Sequence, residues 1–185
     1  MDNGASSYRR FLEGDDDGIG EIVRDYKDGL ILYLHSLVND LYAAEDLAED
    51  TFFRLMIRKP KYLGKSSFKS WLYAIGRHVA IDYIRKNTRI ESTPIDCLEN
   101  VLQDEMDLEA SYIKEERRII IHRSLKNLSA DYRQVIWLIF FESCSPEEAG
   151  RIMKKSKRQI RNLLYRAKNS LKAELLKEGF HYEEF

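Results

Sequence analysis

Three prolines and nine glycines are few for a chain of 185 residues. Turn punctuation this sparse disfavours an all-β fold and leans the chain toward helix. No apolar run approaches the roughly 18 residues that mark a membrane span, so direct membrane insertion is not expected. The N-terminus, with Asp2 and Asn3 and no apolar segment, does not read as a signal peptide. Cysteine is also scarce. Cys97 and Cys144 lie far apart without a CxxC partner, which fits free thiols in a reducing cytoplasm. The four histidines, His35, His78, His122 and His181, lack metal-ligand spacing, so neither metal nor cofactor is expected. What is present is a 44% hydrophobic content, enough to supply cores for one or two small domains.

Catalytic signatures are missing as well. The nearest carboxylate cluster is "GDDDGIGE", Gly14 to Glu21. As a calcium loop counted from Asp15 it fails, because Ile19 takes the fifth ligand position and Tyr26 the twelfth. No P-loop, nucleophile motif or His-based acid–base pair appears. The chain is therefore expected not to be an enzyme.

The net charge of −1 conceals strong segregation. Residues 1–50 hold 13 acids against 4 bases, and residues 51–90 hold 10 bases against Asp82 alone. Residues 91–116 carry 9 acids and Lys114. Residues 117–150 are nearly balanced, and residues 151–177 hold 10 bases against Glu174. Two basic blocks divided by acidic ones are what two separate polyanion contacts require, although solvated helix faces can also be one-signed.

The prolines fall at boundaries: Pro60 closes a helical stretch, Pro94 sits in a polar link and Pro146 opens a helix. Residues 19–41 and 43–58 read as amphipathic helices, and "PKYLGKSS" from Pro60 as a short loop. A long helix over 68–87 is expected to bury Trp71, Leu72, Ile75, Val79 and Tyr83 at helical spacing. From Thr88 to about Asp107 the periodicity fails and acids accumulate, as in a linker of low helical content. Four helices then follow, over 109–127, 129–143, 146–153 and 157–176. The fold class is thus all-α, with two small helical domains joined by a linker. Residues 1–90 form the first domain, 91–114 the acidic linker, 115–177 the second domain and 178–185 a tail.

The strongest local signal is "SPEEAGRIMKKSKRQIRNLLYRAKNSLK", Ser145 to Lys172. Ser145, Pro146 and Glu148 suit N-cap, N1 and N3, with Ser145 and Glu148 forming a capping box. Ser156 and Gln159 repeat the device eleven residues later. About three residues, Lys154 to Ser156, remain for the turn, which is helix-turn-helix spacing. On the second helix Ile160, Leu163, Leu164, Ala167 and Leu171 share one face. Arg158, Asn162, Tyr165 and Asn169 point the other way, flanked by Arg161 and Arg166. That exposed face offers base-edge donors and phosphate partners together, with its N-terminal residues entering the major groove. Lys154 stands where many such motifs carry glycine.

The segment "KSSFKSWLYAIGRHVAIDYIRKN" combines bases with aromatic rings, a composition suited to unstacked, single-stranded bases. Trp71 lies on the apolar stripe and reads as core. Phe68 and Tyr73, nearer the loop and the polar side, are the better stacking candidates. Upstream, in "AEDLAEDTFFRLM", Asp46, Glu49, Asp50 and Phe53 align at i, i+3, i+4 and i+7. Like charges at that spacing cost a helix about 0.2–0.5 kcal/mol each, and an exposed Phe gains nothing from water. This face reads as a docking surface for a basic partner; acids complementing a helix dipole are the plainer alternative.

"AEDLAEDTFFRLM", "SFKSWLYAIGRHVAIDYIRK" and "LSADYRQVIWLIFFESCSPEEAGRIMKKSKRQIRNLLYRAKNSL" together resemble regions 2 and 4 of extracytoplasmic-function (ECF) sigma factors of bacterial RNA polymerase, over about residues 20–90 and 115–176. The resemblance implies a sigma factor that binds core RNA polymerase and directs sequence-specific promoter recognition and transcription initiation. It implies that Asp46, Glu49, Asp50 and Phe53 dock on core polymerase. The unit with Lys65, Ser67, Phe68, Lys69, Tyr73, Arg77, His78 and Arg85 is then expected to melt and capture the minus-10 element, through a base flipped near Lys65–Phe68. Ser156, Lys157, Arg158, Gln159, Arg161, Asn162, Tyr165 and Arg166 are expected to read the minus-35 duplex. It further implies a linker that threads toward the RNA exit path, no cofactor, a cytoplasmic location and an anti-sigma partner, membrane-bound for many members of the family. Gly150 and Lys154 depart from the family's usual Ala and Gly, and His78 stands where members often carry Asn.

The alternative from the residues is a stand-alone helix-turn-helix regulator that never joins core polymerase. It leaves the acidic face and the aromatic basic helix without a role. The charge layout adds one expectation for the free protein: acidic N-terminal helices or the linker cover a basic DNA face.

Overall fold

The computed structural model describes residues 3–87, 120–121 and 123–179, and every regular element among them is helical. The first unit is built from α1 (Asn3–Leu12), α2 (Asp17–Val38), α3 (Leu41–Arg58) and α4 (Phe68–Asn87). The second contains α5 (Ala130–Ile136), which runs on into a π-helical turn over Trp137–Phe141. Then come α6 (Pro146–Met153) and α7 (Lys157–Lys177). Residues 120, 121 and 123–126, within the expected 109–127 helix, are helical too. The expected linker lies outside the described residues, as does most of the tail. No helix of the described residues is long and apolar enough to cross a membrane.

Helix α1 is an addition to what the sequence pattern suggests. Its buried face is Gly4, Ser7, Tyr8 and Phe11. Half of that helical stripe is too small or polar to register as hydrophobic periodicity. The small residues permit close packing: a Cβ at Gly18 on α2 would come 2.3 Å from the Ser7 carbonyl oxygen. Helix α2 ends at Asn39 and α3 at Lys59, both left-handed, which closes each helix with a backbone N–H to the carbonyl four residues back. Asp40 caps α3 through the Ala43 N–H.

The core of the first unit sets Leu30, Tyr33 and Leu34 of α2 against Ala44, Ala48, Phe52 and Leu55 of α3. Phe68, Leu72, Val79 and Ala80 of α4 complete it. This corrects the expected stripe of α4. Leu72 and Val79 are buried, but Trp71 and Ile75 are only partly so and Tyr83 is exposed. The reason is at Phe68, Tyr73 and Gly76, which rotate the packed face. A Cβ at Gly76 would stand 2.9 Å from Leu30 Cδ1, so α2 and α4 touch there.

The two units share one continuous hydrophobic core. Helix α5 packs on α2, and α6 packs on α4. Tyr33 and Tyr73 stack with centroids 5.2 Å apart, and both are buried. In the second unit the expected uniform helix over 129–143 widens at its end. The Glu142 N–H reaches the Trp137 carbonyl at 3.0 Å, five residues back. Phe141 stacks on Trp137 at 4.4 Å, and the chain leaves the turn through Ser143 at φ 53°.

Candidate nucleic-acid interface

Three surfaces carry the expected site residues. The first is the outer side of α3. Its inner side is committed to the core, which leaves Asp46, Glu49, Asp50 and Phe53 exposed together. They line a shallow groove with Val23, Lys27, Phe52 and Met56. Asp50 pairs with Arg54 at 3.1 Å, so Asp46 and Glu49 supply most of the uncompensated charge on this stripe. Phe53 is 60% exposed beside them. A ring left in water next to carboxylates can bury apolar area and attract a cationic partner at once.

The second surface is the start of α4 with its preceding loop. Lys65 is exposed on the loop, and His78 and Arg85 are exposed further along the helix. His78 Nε2 lies 3.8 Å from Asp82 Oδ2. Between these ends the row is occupied by the second unit. Ser67 Oγ donates to Glu148 Oε1 at 2.7 Å. Lys69 Nζ meets Glu142 twice, at the carbonyl oxygen (2.9 Å) and at Oε2 (2.5 Å). The Tyr73 hydroxyl donates to the same Oε2 at 3.0 Å. Arg77 Nε donates to Gln134 Oε1 at 2.9 Å. Burial of Tyr73 and the adjoining Glu142 carboxylate push its phenol far above the ordinary range, so it stays a neutral donor.

Two expectations change here. Phe68 and Tyr73 do not face solvent: Phe68 is fully buried among Tyr8, Tyr26, Tyr62 and Trp71, and Tyr73 lies between Tyr33 and Glu142. Of the ring-bearing candidates near the loop, partly exposed Trp71 is the more accessible. Nor do Asp15 and Glu21, among the described residues, pair with this face. They pair with Arg10 at 3.2 and 2.7 Å, on the α1–α2 side. The linker half of that expectation lies outside the described residues. The acids that do cover the row are Glu142 and Glu148. The sequence flagged Glu148 only as a cap, and nothing flagged Glu142, whose role arises from the π-helical turn.

The third surface is α7. Both capping boxes form: Ser145 Oγ accepts from Glu148 N–H, and Ser156 Oγ from Gln159 N–H at 3.2 Å. Each glutamate or glutamine side chain reaches back to the cap N–H, at 2.9 and 2.7 Å. Ser156 and Gln159 are thus engaged in starting the helix. Lys157 pairs with Glu147. Arg158, Arg161, Asn162, Tyr165 and Arg166 are exposed, while Ile160, Leu163 and Ala167 hold the opposite face in the core. The turn has a reason for its unusual residues. Lys154 is left-handed (φ 55°), and the Lys155 N–H bonds the Gly150 carbonyl at 2.9 Å. A Cβ at Gly150 would stand 2.6 Å from the Lys155 carbonyl oxygen, so alanine does not fit that approach.

The family described as Sigma-70 region 2 matches residues 22–90, and the one described as Sigma-70, region 4 matches residues 118–171. The ECF RNA polymerase sigma factor SigM of Bacillus subtilis is 29% identical over 155 residues, covering 84% of this chain and 93% of that protein. RNA polymerase sigma factor YlaC of the same organism is 28% identical over 162 residues, covering 87% and 94%. Among solved structures, the sigma factor RpoE in complex with the anti-sigma factor NepR from Bartonella quintana superposes with a TM-score of 0.69 at 26% identity. That match covers 85% of this chain and 96% of RpoE.

Proposed function

This chain belongs to the ECF family of RNA polymerase sigma factors, with regions 2 and 4, and on that premise we propose how its three surfaces divide the work. The protein binds core RNA polymerase and directs promoter recognition. A stand-alone regulator has no use for region 2, which here occupies more than a third of the chain. Its work is recognition rather than catalysis, performed in the cytoplasm where polymerase and promoter DNA meet.

The α3 groove is the core-polymerase contact. Asp46, Glu49 and Asp50 steer a basic helix or strand of the partner, and Phe53 supplies an apolar anchor. The α7 face reads the minus-35 duplex, with arginines and Asn162 on base edges and phosphates. The loop at Lys65 and the open row of α4 capture the melted minus-10 strand. Lys69, Arg77 and Arg85 hold phosphate, and Trp71 joins or replaces Phe68 as the ring nearest an unstacked base.

The closed row of α4 gives this division a conformational step. Ser67, Lys69, Tyr73 and Arg77 serve region 4 in the closed form and DNA in the open one. Each of these bonds has a charged partner, and bonds of that kind are worth about 1.5–3 kcal/mol net. Binding of polymerase and DNA to the open form can overcome a handful of them by population shift. An anti-sigma protein is a further proposed partner. RpoE, whose fold this chain shares, is bound to one, and such a partner would act by favouring the closed form.

The observation that carries the polymerase contact is an exposed acidic and aromatic stripe on a helix whose other face is core. Its test is co-elution with purified bacterial core RNA polymerase, comparing wild type with an Asp46→Lys, Glu49→Lys, Asp50→Lys variant. Wild type should co-elute and the folded variant should not. Equal retention of both would remove α3 as the docking face.

A further inference from the structure

The loop that the proposed function assigns to minus-10 capture has little packing of its own. Lys61, Leu63, Gly64 and Lys65 are exposed, and Gly64 turns the chain at φ 67°. Such a segment would sample many conformations unless its ends were fixed. They are fixed from α1, which lies wholly before the part of the chain that matches region 2.

At the near end, the Tyr8 hydroxyl donates to the Pro60 carbonyl at 2.8 Å, across 52 residues of sequence. Lys59, just before it, sits over the Phe11 ring at 4.8 Å. At the far end, the Tyr8 ring packs on Phe68 and Trp71 with centroids at 5.6 and 5.3 Å. Tyr62 closes the circuit. Its ring lies on the same two residues, and its hydroxyl bonds the Ser66 carbonyl. Gly4 lets α1 approach this closely, since a Cβ there would be 2.4 Å from Phe68 Cδ1. Tyr8 is 1% exposed, so one buried side chain holds both ends of an exposed loop.

We infer that Tyr8 is a positioning residue for minus-10 recognition: through Pro60, Phe68 and Trp71 it sets the shape of the 60–67 loop and so the base that the loop accepts. This rests on the assignment of that loop to minus-10 capture. Tyr8 itself touches no DNA. Its hydroxyl decides where the loop begins, and its ring where the loop ends. Loss of the hydroxyl alone frees the Pro60 end while leaving the aromatic cluster packed.

The test is selection from a promoter library randomised at the minus-10 and minus-35 elements. It uses holoenzyme reconstituted with wild type, Tyr8→Phe, or a Lys65→Ala, Ser67→Ala loop variant, with base frequencies read by sequencing. The Tyr8→Phe protein should melt thermally near wild type and bind core equally. It should lose about fivefold of the base preference at the position that the loop variant also flattens, the scale of one hydrogen bond. Its minus-35 preferences should be unchanged. A purely structural role would lower thermal stability and leave the frequency profile as it was. A wild-type profile for Tyr8→Phe beside a flattened one for the loop variant overturns the positioning role alone. Wild-type profiles for both overturn the loop assignment, and the role of Tyr8 with it.

Discussion

Lys69 and Glu142 form an ion pair at 2.5 Å across the two units, one at the start of α4 and the other at the end of the π-helical turn. The lysine is a third exposed and the carboxylate a tenth, so the pair is partly shielded from solvent. The same carboxylate holds Tyr73. One acidic side chain of region 4 therefore occupies two residues assigned to the minus-10 strand.

Replacing Glu142 by Gln should weaken the closed form without disturbing either core, since Gln fills the same space and keeps one acceptor. Free protein should then bind a single-stranded minus-10 probe about fivefold more tightly, the scale of about 1 kcal/mol. Fluorescence anisotropy measures this directly. Unchanged affinity in a folded variant would mean that the pair does not guard the face.

Acid should act in the same direction through Glu148. Partial burial alone would raise its pKa, but bonds from the Ser145 backbone and from the Ser67, Ser145 and Ser70 hydroxyls outweigh this and leave it below the ordinary value of 4.5. A carboxylate depressed in the folded state stabilises above its unfolded pKa, and that contribution is lost as pH falls through the folded value. The Ser145 bond caps α6 within the second unit, while the Ser67 and Ser70 bonds cross between units, so both the cap and that part of the contact should hold at neutral pH and weaken below about 4.5. Small-angle scattering from pH 7 to 3 should show expansion that Glu148→Gln shifts or removes.

The helix-turn-helix turn makes two predictions of opposite sign. Lys154→Gly relieves a left-handed non-glycine residue, a conformation costing about 1–2 kcal/mol, and should raise thermal stability. Gly150→Ala drives a methyl group to within 2.6 Å of the Lys155 carbonyl and should lower it. Differential scanning calorimetry of the two single variants checks both signs.

Tyr33 is fully buried, and its hydroxyl finds no hydrogen-bond partner among the described residues. An unmet buried polar group costs about 1–3 kcal/mol. Tyr33→Phe should therefore be neutral or stabilising by up to about 1 kcal/mol in urea unfolding. A marked loss of stability would mean that the hydroxyl is satisfied in solution.

Much of this molecule was legible from residue order. Helix α4 begins at Phe68 as expected, and α6 matches 146–153, where Pro146 and the Ser145 cap mark the start. The exposed faces of α3 and α7 follow from the same periodicity. Helix α1 was not legible, since Gly4 and Ser7 take half its buried stripe. Phe68 and Tyr73 are buried where the sequence pattern suggests exposed rings, because neighbours distant in sequence decide their burial: α1 covers one, and the second unit covers the other. Glu142 carried no local signal at all. Its position depends on one extra residue in a helical turn, which no spacing rule anticipates.

The most direct measurement is the distance between labels at Lys61 and Ala173, both exposed, in a Cys97→Ser, Cys144→Ser background. It would be read by pulsed electron spin resonance for free protein and for promoter-bound holoenzyme. If region 4 closes the minus-10 face, free protein gives one short, narrow distribution, and promoter-bound holoenzyme a longer one. The same short distance in both states would contradict it, because the row of Ser67, Lys69, Tyr73 and Arg77 could not then serve the DNA.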